Sequence, residues 1–170
     1  MQNEAPQSLA YNFRFDGGTS NTYVFLTTAG YWYNVSFKPS GYVFPRSPGF
    51  ADDVFEFVIA LTNGPSGSLP MADPLIEPTV VALFQDFFAR RGVVVIYICD
   101  SSDDRQAIRH RLFNQWFLRY RHLGFVKLDA ELDDPAGRIY TSVLVHRTYP
   151  HRVAVLDAFL QLTDEINEAK

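Results

Sequence analysis

Asp100, Asp103 and Asp104 close an apolar run, and Arg105 and Arg109 follow at once, in YICDSSDDRQAIRHRLFNQWF. Three carboxylates this close could offer hard oxygen ligands to a divalent cation, the arrangement used in phosphoryl transfer. No further carboxylate or histidine is spaced to complete such a shell, and two arginines stand beside it. A second chemistry is capture of an anion or a partner carboxylate by Arg105 and Arg109, one helical turn apart. The third reading is structural. Ser101 would cap a helix, Asp104 three residues later would complete a capping box, and Asp103 and Asp104 would face the positive end of the helix dipole. Capping accounts for two of the three aspartates with no ligand at all. Arginines early in a helix oppose that dipole, so they need partners, and the aspartates are nearest. Trp116 shares their side of the helix. Asp100, Asp103, Asp104, Arg105, Arg109 and Trp116 are therefore the candidate surface for a protein partner or a small anionic ligand. Arg111, Gln115, Arg119 and His122 form a second stripe, of the kind a solvated helix face carries.

The elements that must position these residues can be read from periodicity. LAYNFRF alternates large apolar and polar residues, as a half-buried strand does. DGGTSN is turn chemistry, and TYVFLT and YWYNVSFK form a hairpin about Thr28–Gly30. The proline-rich PSGYVFPRSPGFADD cannot be a central strand, and VFEFVIALT is the fourth strand, with Phe55, Phe57, Ile59 and Leu61 on one face. NGPSGSLPMADP reads as a loop. A helix then starts near Glu77, with Pro78 in its first turn and Ile76, Val80, Leu83, Phe84, Phe87 and Phe88 at helical spacing. GVVVIYIC is apolar on both parities and should lie at the centre of the sheet. A helix from Asp103 to His122, two strands about the turn DDPAG, and a last helix from Pro150 complete the chain. In that last helix Val153, Leu156, Leu160 and Thr163 share one side, flanked by Phe159 and Ile166. The order β-β-β-β-α-β-α-β-β-α predicts an α+β fold: an antiparallel meander, then helices packed on a twisted mixed sheet.

Composition narrows the function. The 170 residues suit a single domain, with residues 1–8 as a flexible lead. The net charge of −4 argues against nucleic acid and anionic membrane. Cys99 is the one cysteine, so a disulfide framework is excluded and a reducing cytoplasm is the expectation. The N-terminus has neither the basic nor the apolar region of a signal peptide. No metal-ligand spacing joins His110, His122, His146 or His151, and no phosphate loop, dinucleotide fingerprint or nucleophile elbow occurs. No cofactor and no metal are expected. Tyr31 and Tyr33 alternate with Trp32, so both faces of the early sheet carry aromatics, and a homodimer follows as the means of covering one of them.

Two family resemblances add to this. YNFRFDGGTSNTYVF and IYICDSSDDRQAIRHRLFNQWF resemble a family of small bacterial proteins of the domain-of-unknown-function type, over nearly the whole chain. That resemblance implies no activity. From the hairpin onward the element order looks like the GNAT acetyltransferase superfamily, and LRYRHLGFVKL is similar to its closing helix and strand. There a tyrosine four residues before Gly-Phe acts as general acid toward the departing CoA thiolate, and Tyr120, Gly124 and Phe125 match that pattern. The superfamily's glycine-rich pyrophosphate loop has no counterpart in DPLIEPTVVALF. The residues thus favour a non-catalytic binding domain. An acyltransferase with an altered cofactor loop is the alternative, and a metal-dependent phosphoryl-transfer enzyme is the third class.

Overall fold

The computed structural model describes residues 9–46, 49–67, 70–90, 92–99 and 102–169. The strands are β1 (Phe13–Gly17), β2 (Thr22–Leu26), β3 (Trp32–Pro39), β4 (Val54–Asn63), β5 (Val94–Cys99), β6 (Phe125–Asp134) and β7 (Gly137–His146). The helices are α1 (Ile76–Arg90), α2 (Gln106–Arg119) and α3 (Arg152–Glu168). The fold is α+β, with a mixed sheet in the order β1-β2-β3-β4-β5-β7-β6. The one parallel pairing among the registers seen, β4 on β5, spans Val54–Glu56 and Val94–Ile96. Short 3-10 turns at Gly41–Val43 and Ala51–Asp53 occupy the proline-rich stretch that cannot be strand. Among the described residues no helix is long and apolar enough to cross a membrane.

The chain forms two compact units, Met1–Ser36 with Val58–Arg91, and Phe37–Phe57 with Gly92–Lys170. In the first, strand alternation turns Tyr23, Phe25, Tyr31 and Val35 inward, and α1 buries Thr79, Val80, Leu83 and Phe87. Polar bonds fix α1 in place. The Tyr23 hydroxyl donates to Asp86 at 2.6 Å, Arg90 pairs with the same carboxylate at 3.0 Å, and the Tyr11 N–H donates to Thr79 Oγ1 at 2.8 Å.

In the second unit β5 lies between β4 and β7, as its unbroken apolar run requires. One face of the sheet is apolar. Val94, Ile96, Val143 and Val145 pack there with Val126, Leu128 and Ala130 against Val155 and Phe159 of α3. Cross-strand register places the alternate residues on the other face, beneath α2: Tyr97 opposite Ser142, and Ser142 opposite Asp129.

Three expectations are corrected here. α2 runs from Gln106 to Arg119 rather than from Asp103 to His122, and a 3-10 turn at Arg121–Leu123 follows it. Gly124, at φ +84, ends that turn in the left-handed region glycine favours, and an added Cβ would lie 2.9 Å from His146 Nε2. The buried stripe of α3 is Val155, Phe159 and Thr163, while Val153 and Leu160 are exposed. Apolar residues at 153, 155, 156, 159, 160, 162 and 166 spread over about half the helix circumference, so periodicity alone fits two overlapping stripes. On β4, Val54, Phe55 and Phe57 are buried, but burial fades toward the end and Leu61 is exposed.

Candidate functional site

The acidic–basic junction forms a local structure different from a capping box. Asp104 takes φ +57, which no helix tolerates, and the N-cap of α2 is Arg105, without a side-chain cap. Ser101 and Asp100 lie outside the described residues. Asp103 takes over the local bonding: it accepts the Arg105 N–H at 3.1 Å and the Arg109 guanidinium at 2.7 Å. The guanidinium and that N–H together hold the Asp103 carboxyl below its ordinary range. The structure therefore joins Asp103, Arg105 and Arg109, leaves Asp104 exposed, and turns Trp116 edge-on to Phe113 at 5.3 Å. Arg109 Nη1 is committed to Asp103, so an anion at that nitrogen competes with the carboxylate. Among the described residues no group of three His, Cys, Asp or Glu side chains could hold a metal. Tyr120 is half-buried at the C-cap of α2, its N–H bonded to the Trp116 carbonyl and its ring 6.2 Å from that of His122.

Beneath α2 lies a polar network. The Lys127 side chain is 3% exposed, and its ammonium bonds Asp129 and Asn114. Burial pushes that ammonium's pKa down, against the raising effect of Asp129. Ser142 donates to Asp129 at 2.5 Å, and Asn114 bonds His110 Nε2 at 3.0 Å. His110 stacks on Tyr140 at 4.7 Å, and desolvation lowers its pKa. Among the described residues, Gln106 Oε1 and His110 Nδ1 are buried without a hydrogen-bond partner. The sequence did hold a signal for this. Lys127 and Asp129 alternate with Val126, Leu128 and Ala130, so one strand presents a charged face and an apolar face.

The first unit holds a concave site that no sequence motif marks. An open groove of about 580 Å³ is lined by Tyr11, Tyr31, Tyr33 and Asp73 together with Thr27 and Leu75. Tyr11 and Tyr33 each stack on the buried Phe25 between them, with ring centroids at 6.1 Å and 5.2 Å. Tyr31 is held by its N–H to Thr27 Oγ1 at 3.1 Å and lies against the backbone of Gly64. A Cβ at Gly64 would sit 2.4 Å from that ring, so the wall has room for glycine alone. Asp73 accepts the Tyr11 hydroxyl at 2.7 Å and the Leu75 N–H at 2.9 Å. Burial raises the Tyr33 phenol, and the charge of Asp73 adds to the effect. The equal parity of Tyr31 and Tyr33 is visible in the sequence, but their convergence with Asp73 is a tertiary contact that no local pattern encodes.

Set beside known proteins, the chain matches one solved structure at 14% identity and a TM-score of 0.39. It is described as "The structure of a CoA-dependent acyl-homoserine lactone synthase, MesI", and the alignment covers 79% of this chain and 66% of that one. This chain therefore spans slightly less than two thirds of that protein's length. No curated protein matches the sequence. A family of unknown function, DUF6169, matches residues 72–161, a stretch that includes α1, the acidic–basic junction and the whole Lys127 network. That match covers more than half of the 170 residues, and the chain belongs to the DUF6169 family.

Proposed function

We propose that this protein is a non-catalytic binding domain whose ligand site is the tyrosine-walled groove of the first unit. The observation that carries the reading is the groove itself. Its volume of about 580 Å³ suits a small organic molecule, and a few fixed polar groups interrupt an otherwise apolar wall. The Phe25 ladder, the Tyr11–Asp73 bond and the Gly64 contact hold that wall in shape without a ligand. Preorganisation of this kind favours binding.

The start of α1 also disfavours an acyl-CoA cofactor. A diphosphate at a helix start needs free backbone N–H groups. Here Leu75 donates to the Asp73 side chain, Ile76 to the Asp73 carbonyl, and Pro78 has no N–H. Asp73 and Glu77 add negative charge. Acetyl-CoA should leave the melting temperature unchanged, although a ligand at about 100 times its Kd would add about 2.7 kcal/mol.

A fragment library screened by protein-observed NMR tests the reading. The expected result is a cluster of shifts at Thr28, Tyr31 and Tyr33, lost in Gly64→Ala because the new methyl displaces Tyr31. Hits confined to other surfaces, or a thermal shift with acetyl-CoA, would end it.

The setting we propose is a cytoplasmic homodimer, with the Asp103–Arg109 junction left as a surface for a protein partner. Dimerisation is supported by the cross-strand pair Leu26 and Trp32, 41% and 39% exposed. Sedimentation showing a monomer at high micromolar concentration removes the dimer.

A further inference from the structure

We infer that the groove of the first unit selects an organic cation, an ammonium head on an apolar body; this rests on the reading of the groove as a ligand site. Three tyrosines and one carboxylate line the same space. Tyr11, Tyr31 and Tyr33 line the groove, and the electron-rich face of a tyrosine ring attracts a cation, the more so where water is excluded. Asp73 is the single formally charged side chain in the lining, and no lysine, arginine or histidine lies among the lining residues. Its carboxylate is pinned by Tyr11 and by the Leu75 N–H, yet each oxygen keeps a second lone pair for a ligand.

The helix start beneath would by itself attract an anion. Asp73 already answers that end of α1, through its side chain to Leu75 and its carbonyl to Ile76. A second anion would meet the carboxylate at close range. A neutral apolar molecule would fit the walls and leave Asp73 without a counter-charge. A cation satisfies both the rings and the carboxylate. The volume exceeds what a bare ammonium fills, and Leu75, Ile76 and Met71 supply an apolar side for the rest of the molecule.

The Tyr33 phenol supports this assignment. Its pKa lies above the ordinary value, chiefly through burial and then through Asp73, which moves its ionisation further from the physiological range. A second negative charge does not compete with Asp73 for the ligand.

The test uses the full chain and three probes followed by NMR shifts of the groove residues. The probes are benzyltrimethylammonium, choline, and dimethylbutanol, the uncharged carbon isostere of choline. The cations should bind, with choline about tenfold tighter than its isostere. Asp73→Asn keeps an oxygen for the Leu75 N–H while removing the charge, and should close most of that gap. Tyr33→Leu keeps apolar volume while removing a ring. It should weaken the cations about threefold or more while sparing the isostere, and it carries the test if Asp73→Asn does not fold. Equal affinity for choline and the isostere overturns the cation assignment and leaves the ligand site standing. Cation affinity unchanged in both variants does the same. So does a groove that takes neutral fragments and no cation. A groove that takes no compound of any class overturns both.

Discussion

Lys127 shows what a single side chain must do when an element lacks apolar cover. Its ammonium is held by Asp129 and Asn114 where α2 supplies no fully buried residue of its own. Breaking a buried pair leaves the partner uncompensated, which costs more than the pair ever contributed. Because Asp129 is partly exposed, Lys127→Ala should cost about 2 kcal/mol, less than the roughly 3–5 kcal/mol of a fully buried pair, read as a shift in the urea midpoint. An unchanged midpoint would mean that the network is not structural. His110 adds a pH signature. Its folded pKa lies below the unfolded value because burial disfavours the imidazolium; Asp129 and Glu131 oppose that effect and Lys127 reinforces it. Below the unfolded pKa of about 6.5 the unfolded chain binds the proton first, so stability falls as pH drops from there toward the folded pKa. Above about 6.5 this term vanishes. His110→Gln should flatten the stability profile between pH 7 and 5, and a slope identical to wild type would assign it to other groups.

Among the elements, α3 offers the sharpest comparison, because two adjacent residues should behave oppositely. Phe159 is 2% exposed in the apolar core, and Leu160 beside it is 45% exposed. Phe159→Ala should cost about 3–5 kcal/mol in chemical denaturation and Leu160→Ala less than about 1 kcal/mol. The reverse order would restore the stripe that periodicity suggests. This pair also shows where sequence legibility stops. Element order was legible throughout, but bounds were not: the two-parity apolar run gave β5 correctly, whereas LAYNFRF placed β1 four residues early, the strand being Phe13–Gly17. The face of α3 was not legible, since an apolar surplus leaves rotation about the helix axis to tertiary packing. Nor was the start of α2. Serine, aspartate and aspartate in a row suit a helix cap and an aspartate turn equally well, and the left-handed Asp104 decided for the turn. The groove was illegible for a different reason. Its walls come from four separated segments, and only tertiary folding brings Asp73 to Tyr11, 62 positions away.

At the scale of the molecule, the chain passes from one compact unit to the other inside β3 and again inside β4. A strand cut at its midpoint cannot keep its ladder, so we propose that the 170 residues unfold as one domain, in a single transition that tryptophan fluorescence and circular dichroism report together. Non-coincident curves would separate the units. Within the second unit the two coats of the sheet are unequal. α3 is anchored by Val155 and Phe159, buried to within 2% of complete, whereas no residue of α2 is fully buried and its Gln106 Oε1 and His110 Nδ1 lack partners among the described residues. Exposed backbone bonds and few apolar anchors mean cheap local opening. The amide protons of α2 should therefore exchange with deuterium through fluctuations that leave the sheet intact, while those of β5 and β7 should wait for the whole chain to open. If so, the helix that carries the arginines is also a moving part, lifting off a polar floor many times for each time the molecule unfolds.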